Sequence, residues 1–116
     1  MQCWGYNVDG QLGDGTVSNS NVPVAVSGIS TAEAIAAGNA FTCAALSGGT
    51  VDCWGSNANY QLGDGATTSS LTPVTVAGLF NAAAFLSAGG SQACVLTTAN
   101  TMSCWGTDFY YYYSNN

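Results

Sequence analysis

The sequence predicts an all-β repeat fold, and three observations carry that prediction. The tripeptide Cys-Trp-Gly stands at residues 3–5, 53–55 and 104–106, a period of about 50 residues, the size of one supersecondary unit in a repeat architecture. Short runs of Val, Ile, Thr and Phe are broken by Gly, Asn, Ser and Pro, the punctuation of strands joined by turns. The alanine-rich run Ala32–Ala37 has helix-forming residues, but Gly28 and Gly38 flank it and its amphipathic pattern is poor. It reads as a buried strand packed closely against its neighbours.

Each element follows from the repeat. Residues 2–6 form a strand that lacks the hairpin partner preceding Cys53 and Cys104. The loop Gln11-Leu12-Gly13-Asp14-Gly15 recurs as Gln61-Leu62-Gly63-Asp64-Gly65; its glycines supply the positive φ angles of a tight turn. Pro23-Val24-x-Val26-x-Gly28 recurs as Pro73-Val74-x-Val76-x-Gly78. In repeat one, strands are expected at 22–26, 33–37, 40–46 and 50–55. In repeat two they are expected at 73–77, 84–88, 92–97 and 101–106. Four short strands per period is the pattern of a propeller blade. The expected organisation is repeat 1 over 1–52, repeat 2 over 53–103, and the start of a third repeat with an aromatic tail over 104–116. That makes about two four-stranded antiparallel propeller-like blades, completed by neighbouring chains or by a longer polypeptide. Met1 aligns with Val51 and Met102, inside a strand, so the chain is expected to continue something that began earlier.

The run Cys-Trp-Gly-x-Asn-x-x-x-Gln-Leu-Gly-Asp-Gly, then Pro-Val-x-Val-x-Gly, then Ala-Ala-Gly-x-x-x-x-Cys-Ala resembles the regulator of chromosome condensation repeat, in its bacterial, cysteine-containing version. The resemblance runs from residue 1 to about 106. It implies four-stranded blades and, usually, a seven-bladed propeller. The founding eukaryotic member is a nucleotide exchange factor for a small GTPase that docks on chromatin. This sequence departs from that member by holding about two blades and no basic residue.

The charge content excludes several function classes. Among 116 residues there is no Lys, Arg or His, and there are six carboxylates, where an average soluble chain would carry about a dozen basic residues. Nucleic-acid binding draws its affinity from Lys and Arg on phosphates, and anionic membranes are recognised the same way; neither partner is expected. No stretch reaches the roughly 18 to 20 apolar residues of a transmembrane helix, so membrane insertion is not expected. A low-charge, hydroxyl-rich surface favours association or a glycan cover. No Asn-x-Ser/Thr sequon occurs, leaving the Ser/Thr-rich segments Thr16–Ser20 and Thr67–Thr72 as O-glycosylation candidates.

Five cysteines in so short a chain point to an oxidising compartment, and hence to an extracellular or cell-surface location. Cys43 and Cys53 flank the turn Ser47-Gly48-Gly49-Thr50, and Cys94 and Cys104 flank Thr97-Thr98-Ala99-Asn100. Flanking residues of an antiparallel hairpin face each other at disulfide distance. Bridges Cys43–Cys53 and Cys94–Cys104 are therefore expected, with buried free thiols as the alternative. Cys3 is left over and is a candidate for pairing with an upstream segment or a neighbouring subunit. Trp4, Trp54 and Trp105 recur at equivalent positions, which makes them blade-core residues rather than sugar-stacking ones. Alternation places each on the face opposite its cysteine.

Without His, Ser-His-Asp and Cys-His chemistry is unavailable, and Schiff bases require a lysine. A two-carboxylate glycosidase is the one remaining option, but Asp14 and Asp64 are repeat-equivalent and read as turn residues accepting backbone N–H bonds. Asp9 and Asp14 fall short of the roughly six to eight oxygens of a calcium site. No catalytic, cofactor or metal residue is expected, and the chain is read as a non-enzyme. After Gly106 the repeat gives way to Phe109, Tyr110, Tyr111, Tyr112 and Tyr113, an aromatic run suited to contact between subunits. The functional expectation is a secreted structural repeat protein that self-assembles into an extracellular filament or similar open array. Its alternative is a piece of a seven-bladed propeller that binds protein or glycan.

Overall fold

The computed structural model describes residues 1–106 of the chain. Among these residues the secondary structure is entirely strand: β1 Gln2–Gly5, β2 Ser20–Ala25, β3 Ala32–Ala37, β4 Phe41–Leu46, β5 Val51–Gly55, β6 Ser70–Thr75, β7 Ala82–Gly89, β8 Gln92–Thr97 and β9 Met102–Gly106. They form three antiparallel sheets, in the orders β1-β2, β3-β4-β5-β6 and β7-β8-β9. The alanine-rich segment is strand β3, as its flanking glycines implied, but it is exposed to half-buried instead of buried, because it lies at the edge of its sheet. β2 and β6 start a few residues earlier than their valines suggest, at Ser20 and Ser70. Both contain a proline, Pro23 and Pro73, and both lie at a sheet edge, where the missing N–H breaks no ladder.

The sheets are offset from the sequence repeats. The complete four-stranded sheet runs from Ala32 to Thr75, so the division at residue 52/53 falls inside β5. Two kinds of connection alternate. The long loop 56–69 keeps the chain within one sheet, from β5 to β6, whereas the short segments 26–31 and 76–81 carry it to the next. On each side of the central sheet lies one apolar cluster. Phe41, Cys43, Ala45, Val51 and Cys53 meet Ala93 and Val95 of the three-stranded sheet, with Leu62, Val76 and Leu79 from the loops. Ala44 and Trp54 meet Val26 and Ile29 on the other side. Strand alternation sends neighbouring residues to opposite faces, and so Cys53 and Trp54 serve different interfaces.

Both expected bridges are present. Cys43 faces Cys53, and Cys94 faces Cys104, across the β4–β5 and β8–β9 hairpins, each pair with Cα atoms 4.1 Å apart. Cys3 is the free cysteine among the described residues. The tail Phe109–Tyr113, expected to contact neighbouring subunits, lies outside the described residues.

Candidate interaction faces

The loop after each Cys-Trp-Gly is built around a buried asparagine. Asn7 and Asn57 are both fully buried. The Asn57 side-chain amide donates to the carbonyls of Ala66 (2.8 Å) and Thr68 (3.1 Å), and its Oδ1 accepts the Leu62 N–H at 2.9 Å. Asn7 does the same with Thr16 (2.9 Å), Ser18 (3.0 Å) and Leu12 (2.8 Å). One side chain thus holds together a loop that lacks ladder bonds of its own. The carboxylates take the turn role expected of them: Asp14 accepts the Thr16 N–H at 3.0 Å, and Asp64 accepts that of Ala66 at 3.1 Å. The Thr16 hydroxyl, also bonded to Asp14, holds the Asp14 carboxyl below the usual range. The Asn7/Asn57 repetition was visible in the sequence, but only the structure reveals it as the organiser.

These loops receive the tryptophan of the following sheet. Trp54 Nε1 donates to the Gln11 carbonyl at 2.7 Å, and Trp105 Nε1 donates to the Gln61 carbonyl at 2.8 Å. Gly13 has φ +70°, and a Cβ there would lie 2.7 Å from Trp54 Nε1. The glycine therefore provides both the left-handed turn and the space for the ring. Gly63 stands against Trp105 in the same way, with φ +65° and 3.0 Å. Each sheet is anchored to the one before it by an indole set on a loop.

The three tryptophans have different surroundings. Trp54 is fully buried, Trp105 is half-buried against the first cluster, and Trp4 is 63% exposed. Trp4 departs from the expected core role because no Gln11-type loop among the described residues receives its ring. Ile35 is 57% exposed, while Leu86, one period on, packs against the larger cluster. At the opposite end, Phe85 and Met102 are exposed beside the Cys94–Cys104 bridge. Among the described residues both end faces thus present, uncovered, the residue positions that are buried between the sheets in the middle. Between β1 and β3 runs a groove of about 440 Å³ lined by Cys3, Trp4, Ile35, Ala36, Phe41 and Thr42 among others. Cys3 is half-buried on the rim, and burial raises its thiol pKa, only partly offset by the positive N-terminus.

Antiparallel sheets stacked face to face, each locked by an indole on the preceding loop, define a propeller-blade repeat protein. The sequence profile of the Regulator of chromosome condensation (RCC1) repeat matches residues 3–45 and 48–96, and a second profile of that description matches 32–61. The chain belongs to the RCC1 repeat family. Solved structures of the same fold include human WBSCR16, with 19% identity and a TM-score of 0.74 over 89% of this chain and 28% of that one. They also include Prp20p from Saccharomyces cerevisiae, with 21% identity and a TM-score of 0.73 over 91% of this chain and 28% of that one. The complex of Kap60 bound to yeast RCC1 (Prp20) matches with 20% identity and a TM-score of 0.70, over 90% and 25%. The chain spans about a quarter of the length of these structures. No curated protein sequence matches.

Proposed function

We propose that this chain is a blade module of a disulfide-stabilised, extracellular RCC1-type propeller whose task is to bind a protein partner, without catalysis of its own. The carrying observation is that its sheets superpose on part of human WBSCR16 and of yeast RCC1 (Prp20) with TM-scores of 0.70 to 0.74 over about nine-tenths of the chain. The sheet-to-sheet arrangement is thus that of a propeller. The exposed Trp4 and Phe85 faces then meet further blades of the same kind. Protein binding draws support from the neighbours: yeast RCC1 is solved with Kap60 bound, and Prp20p is described with binding to Gsp1p and histones. With six carboxylates and no basic residue, this chain offers no cation to pair with an acidic partner. Two disulfides in so short a chain support an oxidising, extracellular setting.

A second reading keeps the same faces and joins separate copies through them. The two end faces differ from each other, and a heterologous contact that does not close on itself gives an open filament. Electron microscopy of the native material separates the two. Particles of single-propeller size support the first reading, long fibres support the second, and a dispersed short chain with nothing docked to it contradicts both.

A further inference from the structure

We propose that Thr72 is the acceptor for an O-linked neutral sugar, so that the outer strand of the second repeat carries a glycan. The proposal rests on the extracellular setting argued above. It starts from which hydroxyls along that strand the fold already uses. Ser69 Oγ accepts the Asn57 N–H at 3.1 Å, Ser70 Oγ donates to the Thr72 carbonyl at 2.6 Å, and Thr75 Oγ1 donates to Asp52 at 2.9 Å. Those three hydroxyls hold a loop, a strand end and a strand pair. At Thr72 the bonds with Ser70 run through the backbone N–H and carbonyl, and the hydroxyl enters none among the described residues.

The first repeat shows what the fold asks of this position. Val22 stands there, with Ser20 bonded to its carbonyl as Ser70 is to that of Thr72. The strand needs a β-branched side chain at this place, and it does not need a hydroxyl. Val22 is 58% exposed although the following sheet is in place. Thr72 is exposed although the preceding loop is bonded to its strand, Gly15 N–H to the Leu71 carbonyl at 3.0 Å. The opening therefore belongs to the outer strand itself. β6 is an edge strand, and Pro73 takes the next N–H out of it, so Thr72-Pro73 is met as extended, unpaired chain. Ser and Thr gathered beside Pro, as over Thr67–Pro73, is the composition of O-glycosylated segments. A surface without Lys, Arg or His has few strongly hydrated groups, and a neutral glycan supplies hydration where charge does not.

In the transfer, Thr72 Oγ1 gives its proton to a base of the transferase and attacks the anomeric carbon of a sugar held as a nucleotide- or polyprenyl-linked phosphate ester. The new C–O bond forms as the old anomeric C–O bond breaks, and the phosphate leaves with that electron pair. The test is secretion of the full 116-residue chain from a yeast host, whose secretory route adds mannose to Ser and Thr. Intact mass and site-resolved fragmentation are the readouts. The expected product carries hexose at Thr72, with Ser70 and Thr75 bare. Thr72→Val, the residue of the first repeat, should lose that increment with the urea midpoint unmoved. Val22→Thr should gain an increment at the matching place. A bare Thr72, or hexose on Ser70 and Thr75 as readily as on Thr72, would overturn the site. Thiol titration of the same secreted chain reads the setting separately. With both bridges formed and Thr72 bare, the extracellular reading stands and only the acceptor has failed.

Discussion

Replacing Trp54 with alanine removes the anchor between the two-stranded and four-stranded sheets, and its cost follows from the structure. The side chain is fully buried among Val26, Ile29 and Ala44, so truncation opens a cavity and should cost roughly 3 to 5 kcal/mol. The hydrogen bond to Gln11 is also lost. That carbonyl keeps a second donor, the Thr42 hydroxyl at 2.9 Å, so the further cost of about 1 to 3 kcal/mol for an orphaned acceptor is avoided. Total stability of a domain is about 5 to 15 kcal/mol, so the variant should sit near the edge of folding. Urea denaturation followed by circular dichroism reads the loss as a lowered midpoint at unchanged m-value. Trp4→Ala serves as the internal comparison: the residue is exposed, and its truncation in the isolated chain should change stability by no more than about 0.5 kcal/mol. A loss below about 1 kcal/mol for Trp54→Ala, or equal losses for the two variants, would refute the anchoring argument.

The remaining expectations concern the bridges, the loop hub and one carboxylate. Thiol titration of the denatured, unreduced chain should find one reactive cysteine, Cys3, and five after reduction; three before reduction would mean a bridge is missing. Reducing both bridges should lower the denaturation midpoint, since each closes a short loop and contributes at most about 2 to 4 kcal/mol. Asn57→Ala should cost at least about 2 kcal/mol, because the Leu62 N–H and two carbonyls lose their buried partner; a surface-like effect in urea denaturation would contradict the hub role. Asp14 has a lowered folded pKa, so its stabilising contribution is present above its unfolded value and is lost as pH falls through the folded one. Its carboxyl resonance should titrate below the ordinary aspartate value, and Thr16→Ala should move the midpoint up; an unmoved midpoint would remove the Thr16 bond as the cause.

The strands and the bridges were legible because both depend on short-range pattern. Cysteines ten residues apart across Ser47-Gly48-Gly49-Thr50 leave a hairpin little choice of register, and the Cys53/Trp54 alternation already separates two faces. The phase of the sheets was not legible. A periodic sequence repeats identically wherever the cut is made. Only the connections decide that β5 and β6 share a sheet while β6 and β7 do not. The Trp4 environment was hidden for a related reason: equivalence predicts the same burial for Trp4 as for Trp54, but burial depends on the Gln11-type loop that receives the ring. Asn7 and Asn57 stood in the repeated motif without a visible role, since a polar residue in a Gly-rich loop ordinarily faces water. Their burial follows from the need of the loop carbonyls for a donor away from any ladder.

The account rests on the two end faces being docking surfaces, and sedimentation equilibrium of the isolated chain over a wide concentration range tests that most directly. The prediction is an average mass above the 11.7 kDa of one chain, rising with concentration and falling back toward it when Trp4 and Phe85 are both replaced by lysine. A single 11.7 kDa species at every concentration, unaffected by those replacements, would contradict the claim.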